Sequence, residues 1–471
     1  MENKSNKSGL SRKLGLFTAL MIVVCSMIGS GVFKKIAPMS ATLMSPWLIL
    51  LCWIVAGFIT MFGAFTFAGF AKVNSEAGGE YQYLKISFGK FFSFLYGWTA
   101  FTVIQSASVA SIAYVFGESV GNLVHLPQFP PEWSSINIFG YIFPFDNIGV
   151  KLVTISGIVI ITIINYRGVQ YGGFTVNLFT VAKMLGILIL VVFGLNYVGG
   201  STSNVSTVSP GYDAFSEQGW WQITSIFFVA MLSAFWAYDG WANITFLAGE
   251  VKNPYRNLPI AISFGVLVVM VIYFLIHYVY LYVMPVDSYI AINGSRNTIA
   301  AAEMANVVIG PFGFILVSLL ILVSTFGTAN SSAMSSSRIY YAMAREGMFF
   351  GRAGATHKKF NTPHVSLVLQ CVWASILVIS GTFDQLTDML IFAAFIFYGA
   401  AAFGLLKLKS KKIITEKVWG YTVFPLLFII FCVLITASSF FQRPLASITG
   451  IGLVLSGIPF YFFWRNKKPQ S

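Results

Sequence analysis

Long apolar runs dominate this sequence and constrain its fold more than any other feature. Hydrophobic residues make up 57% of the 471 residues and charged residues only 10%, with a mean hydropathy of +0.77. Soluble domains contain about 25% charged residues, and about 20 apolar residues in a row can cross a bilayer as a helix. The sequence therefore predicts an all-α integral membrane protein with twelve transmembrane helices. The predicted spans are 14–36, 43–71, 91–121, 148–166, 172–197, 222–249, 258–285, 311–340, 364–381, 385–407, 418–440 and 445–464.

The positive charge follows membrane topology. The net charge is +13, and most of the 29 lysine and arginine residues fall in alternate segments between spans, beginning with the N-terminal one. Such segments stay on the cytoplasmic side. We therefore expect a multi-pass protein in the lipid bilayer of the cell membrane, with both termini cytoplasmic and no nucleic acid as a partner. The basic segment 1–13 lacks a signal-peptide core, so the first span is expected to be an uncleaved anchor.

Two of the predicted spans are interrupted. Gly29-Ser30-Gly31 breaks the first span, and Phe235-Trp236-Ala237-Tyr238-Asp239-Gly240-Trp241 breaks the sixth. Glycine disfavours a helix by about 1 kcal/mol relative to alanine. Unpaired backbone at membrane depth is tolerated only where protein buries it or where it lines a cavity. Interrupted helices at corresponding positions of two five-helix units indicate an inverted-repeat transporter.

This 5+5 inverted-repeat fold, with helices 1 and 6 broken, sets the predicted domain organisation. We expect one transmembrane domain over residues 1–464, with a first repeat at about 14–197 and a second at about 222–407. Helices 11 and 12, at about 418–464, are additional to the repeats, and residues 465–471 form a cytoplasmic tail.

A broken helix offers backbone groups to a zwitterion. The half-helix after the break presents N–H groups, which favour an anion, and the half-helix before it presents carbonyls, which favour a cation. A free amino acid carries both charges on one carbon. We therefore expect a substrate site at the breaks; a kink that allows close helix packing is the alternative explanation of the glycines. The predicted binding residues are Met27, Ile28, Gly29, Ser30, Gly31, Phe235, Trp236, Asp239 and Asn330.

Two charged residues lie within predicted spans. Lys183 is well inside span five, where an ammonium is costly and usually functional. We expect it to approach the broken first helix and donate to its free carbonyls; a titrating lysine that couples protons, or one that snorkels to the interface, remains open. Asp239 lies at the second break, where it either caps the next half-helix or faces substrate or a proton.

Nothing in the sequence indicates a metal, a cofactor or an enzyme. The four histidines have no ligand spacing, and neither a nucleophile–base signature nor a phosphate loop is present. The cysteines all fall in apolar spans, as expected for small core residues. They are Cys25, Cys52, Cys371 and Cys432.

These motifs resemble those of the amino acid–polyamine–organocation superfamily of permeases, and most closely its bacterial L-type amino-acid transporters. The resemblance extends over nearly all twelve spans. The matching motifs are Ile28-Gly29-Ser30-Gly31-Val32-Phe33, Gly78-Gly79-Glu80-Tyr81, Phe179-Thr180-Val181-Ala182-Lys183, the break Phe235–Trp241, Glu250-Val251-Lys252-Asn253-Pro254-Tyr255-Arg256-Asn257-Leu258-Pro259, Ser337-Arg338 and Ala344-Arg345-Glu346-Gly347.

The resemblance implies a sodium-independent transporter of neutral L-amino acids, often an obligatory exchanger. It implies that Gly29-Ser30-Gly31 binds the carboxylate and that carbonyls of Met27, Trp236 and Asp239 bind the amine. It also places Trp236 at an aromatic gate position and Lys183 at a lysine that links spans one, five and eight.

The sequence departs from the family pattern at three places. Ser75 stands where proline is usual, Phe349-Phe350 replaces a usual Leu-Pro, and the gate residue Trp236 replaces phenylalanine. The larger ring narrows the site and favours small side chains. Eukaryotic members bond a heavy subunit through a cysteine in the outer loop between spans three and four. This chain has none there, so no disulfide-linked heavy subunit is expected.

The sequence thus favours exchange of small neutral L-amino acids such as alanine, serine or threonine by alternating access. Proton-coupled symport with Lys183 titrating is the main alternative. A sensor that binds without transporting, and an antiporter of cationic amino acids or polyamines, rank lower. The last of these would need carboxylates facing the site, and only Asp239 is available.

Overall fold

A computed structural model describes residues 12–71, 74, 76–138, 142–217, 219–295, 298–380, 383–413, 422–442 and 444–466. Within these ranges the chain is almost entirely helical, with two isolated β-bridges, and eleven stretches are long and apolar enough to cross a membrane. The predicted ninth span corresponds to a shorter apolar helix, His364–Ser380. The predicted all-α membrane fold is confirmed.

Some predictions fall on residues outside these ranges. They include the basic segment up to residue 11, Ser75, and the end of the predicted tail from residue 467 onward. The cytoplasmic placement of both termini and the division into two repeats stay predictions.

The predicted first repeat contains both short and long helices. They are α1 (Leu16–Met27), α2 (Gly31–Lys34), α3 (Ile36–Leu43), α4 (Pro46–Ala71), α5 (Glu80–Phe88), α6 (Lys90–Thr99), α7 (Gln105–Leu123), α8 (Pro131–Ser134), α9 (Ile148–Tyr166) and α10 (Val169–Leu195). A single π-helical turn, Ala100–Ile104, joins α6 to α7, so the third span is one long helix with a wide turn inside it. Such turns are rare and are often found at functional sites.

The rest of the chain continues in the same way. Its helices are α11 (Thr202–Ser206), α12 (Tyr212–Ser216), α13 (Trp220–Tyr238), α14 (Asn243–Phe246), α15 (Pro254–Val283), α16 (Val286–Asn293), α17 (Ala300–Ile309), α18 (Pro311–Arg345), α19 (His364–Ser380), α20 (Phe383–Ser410), α21 (Val423–Gln442), α22 (Pro444–Leu455) and α23 (Gly457–Trp464). The predicted twelfth span is interrupted at Ser456 into α22 and α23, and Ser447–Trp464 together is long and apolar enough to cross a membrane.

Both predicted breaks are present. Helix α1 ends at Met27, and the chain leaves helical geometry at Ile28 (φ −75°, ψ 82°) before α2 begins. Helix α13 ends at Tyr238, where Asp239 is extended (φ −61°, ψ 157°). Gly240 follows with φ +95°, a left-handed conformation that glycine adopts without strain. Beyond it the sixth span continues only as α14 and a short 3₁₀ turn, Ala248–Glu250.

The broken helices lie inside the bundle. Helix α1 packs against α10, α15 and α18, and α13 packs against α4 and α21. The last six residues of α1, from Ile22 to Met27, are all buried. Full enclosure by other helices is the condition under which a membrane protein tolerates unpaired backbone.

Candidate substrate site

The two breaks contact each other through their glycines. A Cβ atom on Gly31 would lie 2.6 Å from Cβ of Ala237, and one on Gly240 would lie 2.7 Å from the carbonyl oxygen of Ser26. Each break therefore packs directly on the backbone of the other, which only glycine permits.

A tyrosine joins the same two segments. The Tyr273 hydroxyl in α15 lies 2.6 Å from the carbonyl oxygen of Met27 and 2.8 Å from that of Ala237. It has one hydrogen to share between these two acceptors. Tyr273 thus holds the end of α1 beside the end of α13.

A small polar cavity of about 10 Å³ lies between the breaks, α7 and α18. This is room for about one water molecule, so an amino acid enters only when the surrounding helices move apart. Its walls combine backbone, hydroxyl groups and one indole ring. The lining residues are Ser26, Met27, Gly29, Ser30, Gly31, Ser108, Ile112, Trp236, Asp239, Gly240, Thr328 and Ser332.

The start of α2 offers hydrogen-bond donors to this cavity. Among the described residues, the N–H groups of Ser30, Gly31 and Val32 donate to no backbone or side-chain acceptor. The first N–H groups of a helix lack partners within the helix and attract anions. The Trp236 indole Nε1–H donates to Ser30 Oγ at 3.3 Å and covers one side of the break.

Lys183 connects three helices beneath the first break. Its side chain, on α10, is fully buried, and Nζ donates to the carbonyl oxygens of Cys25 (2.8 Å) and Ile28 and to Thr328 Oγ1 (2.9 Å). The Ser324 hydroxyl also donates to the Ile28 carbonyl oxygen, at 3.1 Å. The ammonium therefore satisfies carbonyls that the break leaves without helical partners, and it ties α1 to α10 and α18.

Asp239 borders the cavity and also contacts α20. Its Oδ1 accepts a hydrogen bond from the Tyr398 hydroxyl at 2.9 Å, and its carboxylate accepts one from the N–H of Gly240. The second contact is local to the break, as in a helix cap. Asp239 thus stabilises the turn and faces the cavity at once.

Three predicted binding residues lie away from the cavity. Phe235 faces α20, where its ring packs at a tilt of 57° against Phe395, with centroids 4.6 Å apart. The carbonyl of Ile28 is occupied by Lys183, and Asn330 bonds to Asn165 Nδ2 at 2.8 Å. None of the three residues lines the cavity.

Comparison with known proteins identifies the family of this chain. The model of the amino acid permease family matches residues 14–463. This chain belongs to that family. The permease is also 29% identical over 470 residues to the serine/threonine exchanger SteT of Bacillus subtilis (strain 168), covering 98% of each chain. The family is one of transporters, so the chain is an amino-acid transporter and not an enzyme.

Two human relatives are similar over most of the permease. The b(0,+)-type amino acid transporter 1 is 28% identical over 98% of this chain and 89% of its own length. The large neutral amino acids transporter small subunit 2 is 27% identical over 97% of this chain and 82% of its own length. Identities at this level indicate that this permease and its relatives all transport amino acids. They do not identify the substrate of this permease, which depends on its own residues.

Sequence reasoning missed three residues that the permease places at the breaks. Tyr273 bridges two carbonyls, Thr328 supports Lys183, and Ser26 donates or accepts a 2.8 Å hydrogen bond with Ser331. Tyrosine, threonine and serine are common in membrane helices, where hydroxyls usually bond their own helix. Only the arrangement of α1, α15 and α18 distinguishes these three.

Ion pairs join helices on both predicted sides of the membrane. On the predicted outer side, Lys34 of α2 lies 2.7 Å from Glu118 of α7. On the predicted inner side, Arg338 Nε of α18 lies 2.7 Å from Glu250 Oε1, and both side chains are at most 2% exposed. Leu14 pairs with Val251 nearby in a β-bridge.

We expect Glu250→Gln to destabilise the permease strongly. Removing one partner of a buried ion pair leaves the other charge uncompensated and costs about 3–5 kcal/mol. Lys85→Gln is the matched control, because the Lys85–Glu346 pair at 2.7 Å is 31% and 21% exposed and such pairs contribute about 0–1 kcal/mol. Thermal unfolding of purified protein in detergent measures both. Equal shifts in the two variants would show that the inner pair has no special structural role.

Proposed function

We propose that this permease exchanges small neutral L-amino acids across the cell membrane by alternating access and without sodium. The direct contact between the two helix breaks around a polar cavity carries this proposal. The break Gly29-Ser30-Gly31 holds the substrate carboxylate through the N–H groups of Ser30 and Gly31, which have no acceptor among the described residues, and carbonyls of Met27, Trp236 and Asp239 hold its amine. Both substrate charges are then bound by backbone, with no need for a charged side chain.

Lys183 supports independence from sodium. Its ammonium already supplies a positive charge to the carbonyls of Cys25 and Ile28, where a bound cation would otherwise be needed. This arrangement also favours a structural role for Lys183 over proton symport through it. All three hydrogens of the ammonium have acceptors, which stabilise the charged form.

The residues that line the cavity support a substrate with a small side chain. Trp236 and Ile112 limit the space around the substrate, while Ser108 and Ser332 offer hydroxyls to a polar side chain. Once the helices have moved apart, such a lining suits alanine, serine and threonine. The printed name of the Bacillus relative, a serine/threonine exchanger, agrees with this class.

We also propose that both termini are cytoplasmic and that no heavy subunit is bonded to the permease. The charge distribution supports cytoplasmic termini, and the outer segment 122–147 contains no cysteine through which a heavy subunit would bond. The four cysteines lie in membrane helices and are free. The permease is therefore proposed to work in the bilayer without a disulfide-linked subunit.

Counterflow in proteoliposomes tests exchange. Vesicles loaded with unlabelled L-serine are expected to take up labelled L-serine, while empty vesicles take up little. Competition by each of the twenty amino acids then defines selectivity. Equal uptake into loaded and empty vesicles would contradict obligatory exchange, and no uptake of any amino acid would contradict transport itself.

We expect Trp236→Phe to widen selectivity. The smaller ring enlarges the cavity and removes the indole donor to Ser30 Oγ. Competition by L-leucine and L-phenylalanine should rise several-fold relative to L-alanine, since each extra buried CH₂ contributes about 0.8 kcal/mol. Trp221→Phe is the control, because Trp221 is 54% exposed and lies at the start of α13. Unchanged selectivity in Trp236→Phe would remove Trp236 from the substrate wall.

A further inference from the structure

An open groove of about 550 Å³ lies on the outside of the bundle, between α20 and α21. Residues 392–400 of α20 and 429–441 of α21 form its walls, and Ile451 of α22 completes it. We call it the α20–α21 groove. None of the described residues that line it borders the substrate cavity. Sites for small molecules have volumes of about 300–1,000 Å³, so the groove is large enough for a ligand.

The lining of the α20–α21 groove is apolar. Among the described residues that line it, only Thr436 and Cys432 carry a polar side-chain atom. Val433 and Phe441, which are 61% and 70% exposed, place it at the surface of the bundle. All three helices belong to stretches long and apolar enough to cross a membrane, so this surface meets hydrocarbon rather than water. A polar or charged ligand would therefore find too few partners here.

Small side chains leave this volume unfilled. A Cβ atom on Gly399 would lie 3.1 Å from Cβ of Cys432, so α20 and α21 are in close contact at this point. Small residues allow membrane helices to approach in this way. Ala400 and Ala437 also line the groove, and neither side chain is long enough to fill it.

The α20–α21 groove matches one lipid tail in length. Between Ile429 and Phe441, α21 advances about 18 Å at about 1.5 Å per residue. One leaflet supplies half of a hydrocarbon core that is about 30 Å thick. Phe441 is the last residue but one of α21, so the groove begins near one membrane surface, the predicted outer one, and extends toward the midplane.

A helix of another protein, or of a second copy of this chain, is too wide for this space. An α-helix with its side chains is about 10–12 Å across and rises about 5.4 Å per turn, so about 550 Å³ holds about one turn. A single hydrocarbon chain is much narrower and can extend along the whole length. The dimensions and the apolar lining therefore favour a lipid tail.

One wall of the α20–α21 groove also contacts the second helix break. The Phe395 ring lines the groove and packs against Phe235 of α13, with centroids 4.6 Å apart. The carbonyl oxygen of Phe235 accepts the N–H of Asp239 at 2.8 Å, where α13 ends. Phe395 also contacts Tyr398 with centroids 5.9 Å apart, and the Tyr398 hydroxyl donates to Asp239 Oδ1 at 2.9 Å. Movement of Phe395 into the groove would loosen the break at both points.

We propose that the α20–α21 groove binds one hydrocarbon tail of a membrane lipid, and that the bound tail slows amino-acid exchange through Phe395. With the tail in place, Phe395 cannot move away from Phe235, and the second break keeps its closed arrangement. With the groove empty, Phe395 has room to move and the helices separate more readily. A ligand shifts a conformational equilibrium only by binding one state more tightly, and here that is the closed state. The effect on exchange rests on the proposed transport function, whereas binding of the tail does not.

Photolabelling tests tail binding without transport. The permease is reconstituted in palmitoyl-oleoyl phosphatidylcholine with a trace of the same lipid that carries a diazirine in one tail. After irradiation, mass spectrometry should find the label on residues 392–400 and 429–441 rather than on the exposed face of α10. Ala437→Phe places a ring in the groove and should lose this label. Val192→Phe adds a ring near the end of α10, where Val192 is 51% exposed, and should keep it.

Counterflow of labelled L-serine in two kinds of vesicle tests the effect on exchange. Diphytanoyl phosphatidylcholine has methyl-branched tails that are too wide for the groove. Wild type and Val192→Phe should exchange about threefold faster in it than in palmitoyl-oleoyl phosphatidylcholine, a small factor because individual van der Waals contacts are weak. Ala437→Phe should exchange slowly and equally in both lipids. Phe395→Leu should keep the label but lose the lipid dependence, which decides the coupling even if Ala437→Phe fails to fold.

The outcomes separate the inference from the proposed function. Label spread evenly over the lipid-facing helices overturns the tail site, and so does a groove protected from label in a permease that runs as a dimer. Equal wild-type exchange in the two lipids, or the same lipid dependence in Phe395→Leu as in wild type, overturns the coupling through Phe395. Failure of wild-type counterflow in both lipids instead overturns the proposed function, and the photolabelling result still decides whether the tail binds.

Discussion

Exchange of L-serine should fall at least about a hundredfold when Lys183 is replaced by methionine. The substitution keeps a flexible chain of similar size but removes the ammonium that bonds Cys25, Ile28 and Thr328. A hydrogen bond to a charged group contributes about 1.5–3 kcal/mol, and about 1.4 kcal/mol corresponds to a factor of ten. Without these bonds, α1 loses its attachment to α10 and α18 just below the break. Counterflow in proteoliposomes, normalised to inserted protein, measures the loss.

Lys151→Met is the matched control. Lys151, on α9, is also buried, and its ammonium also donates to backbone carbonyls, including that of Ile379 at 3.1 Å. Its contacts lie on the predicted outer loop and α19, away from the breaks. This variant should lose thermal stability and retain exchange within about threefold, because its bonds number about the same but none reaches α1. Near wild-type exchange in Lys183→Met, or equal losses in both variants, would mean that Lys183 contributes only to folding.

Gly31→Ala should also stop transport. The added Cβ would lie 2.6 Å from Cβ and 2.7 Å from Cα of Ala237, closer than real carbon atoms approach. Because Cα belongs to the backbone, the clash is relieved in full only by moving the two breaks apart. Overpacking of this kind costs about 1–3 kcal/mol and displaces the N–H groups proposed to bind the carboxylate. We expect binding of L-serine to be lost in counterflow and in thermal-shift titration.

Two further substitutions sharpen this result. Gly15→Ala adds the same methyl group at the start of α1, where nothing lies within 4 Å, and exchange should be unchanged. Adding Ala237→Gly to Gly31→Ala removes the Cβ that lies 2.6 Å away and should restore part of the exchange. If exchange does not recover in the double variant and is also lost in Gly15→Ala, the effect of alanine on α1 does not come from contact with the second break.

The sequence was sufficient to predict the breaks and the role of buried charge. Gly29-Ser30-Gly31 interrupts an apolar run with residues that leave backbone groups unpaired, and few explanations fit that pattern in a membrane. Lys183 stands alone in an apolar helix, so it must find acceptors, and free carbonyls at a nearby break are the available ones. Both inferences depend only on the residue types within one short segment, so they need no knowledge of how the helices pack.

The walls of the cavity were less predictable. Phe235 and Trp236 are neighbours in the sequence, but about 100° separates them around a helix, and only the rotation of α13 decides which one faces the cavity. Asn330 was predicted at the site because it is polar at mid-membrane depth. It is instead satisfied by Asn165 on α9, a partner 165 residues away that no local pattern reveals.

The π-helical turn at Ala100–Ile104 affects how this permease is compared with its relatives. The turn holds one residue more than an α-helical turn, and one residue corresponds to about 100° of rotation. Ser108 and Ile112 face the cavity after that extra residue has been counted. Against a relative whose third span is a regular helix, a gapless alignment would pair residues that point in different directions. Substrate preferences transferred along α7 therefore require a one-residue gap at this turn.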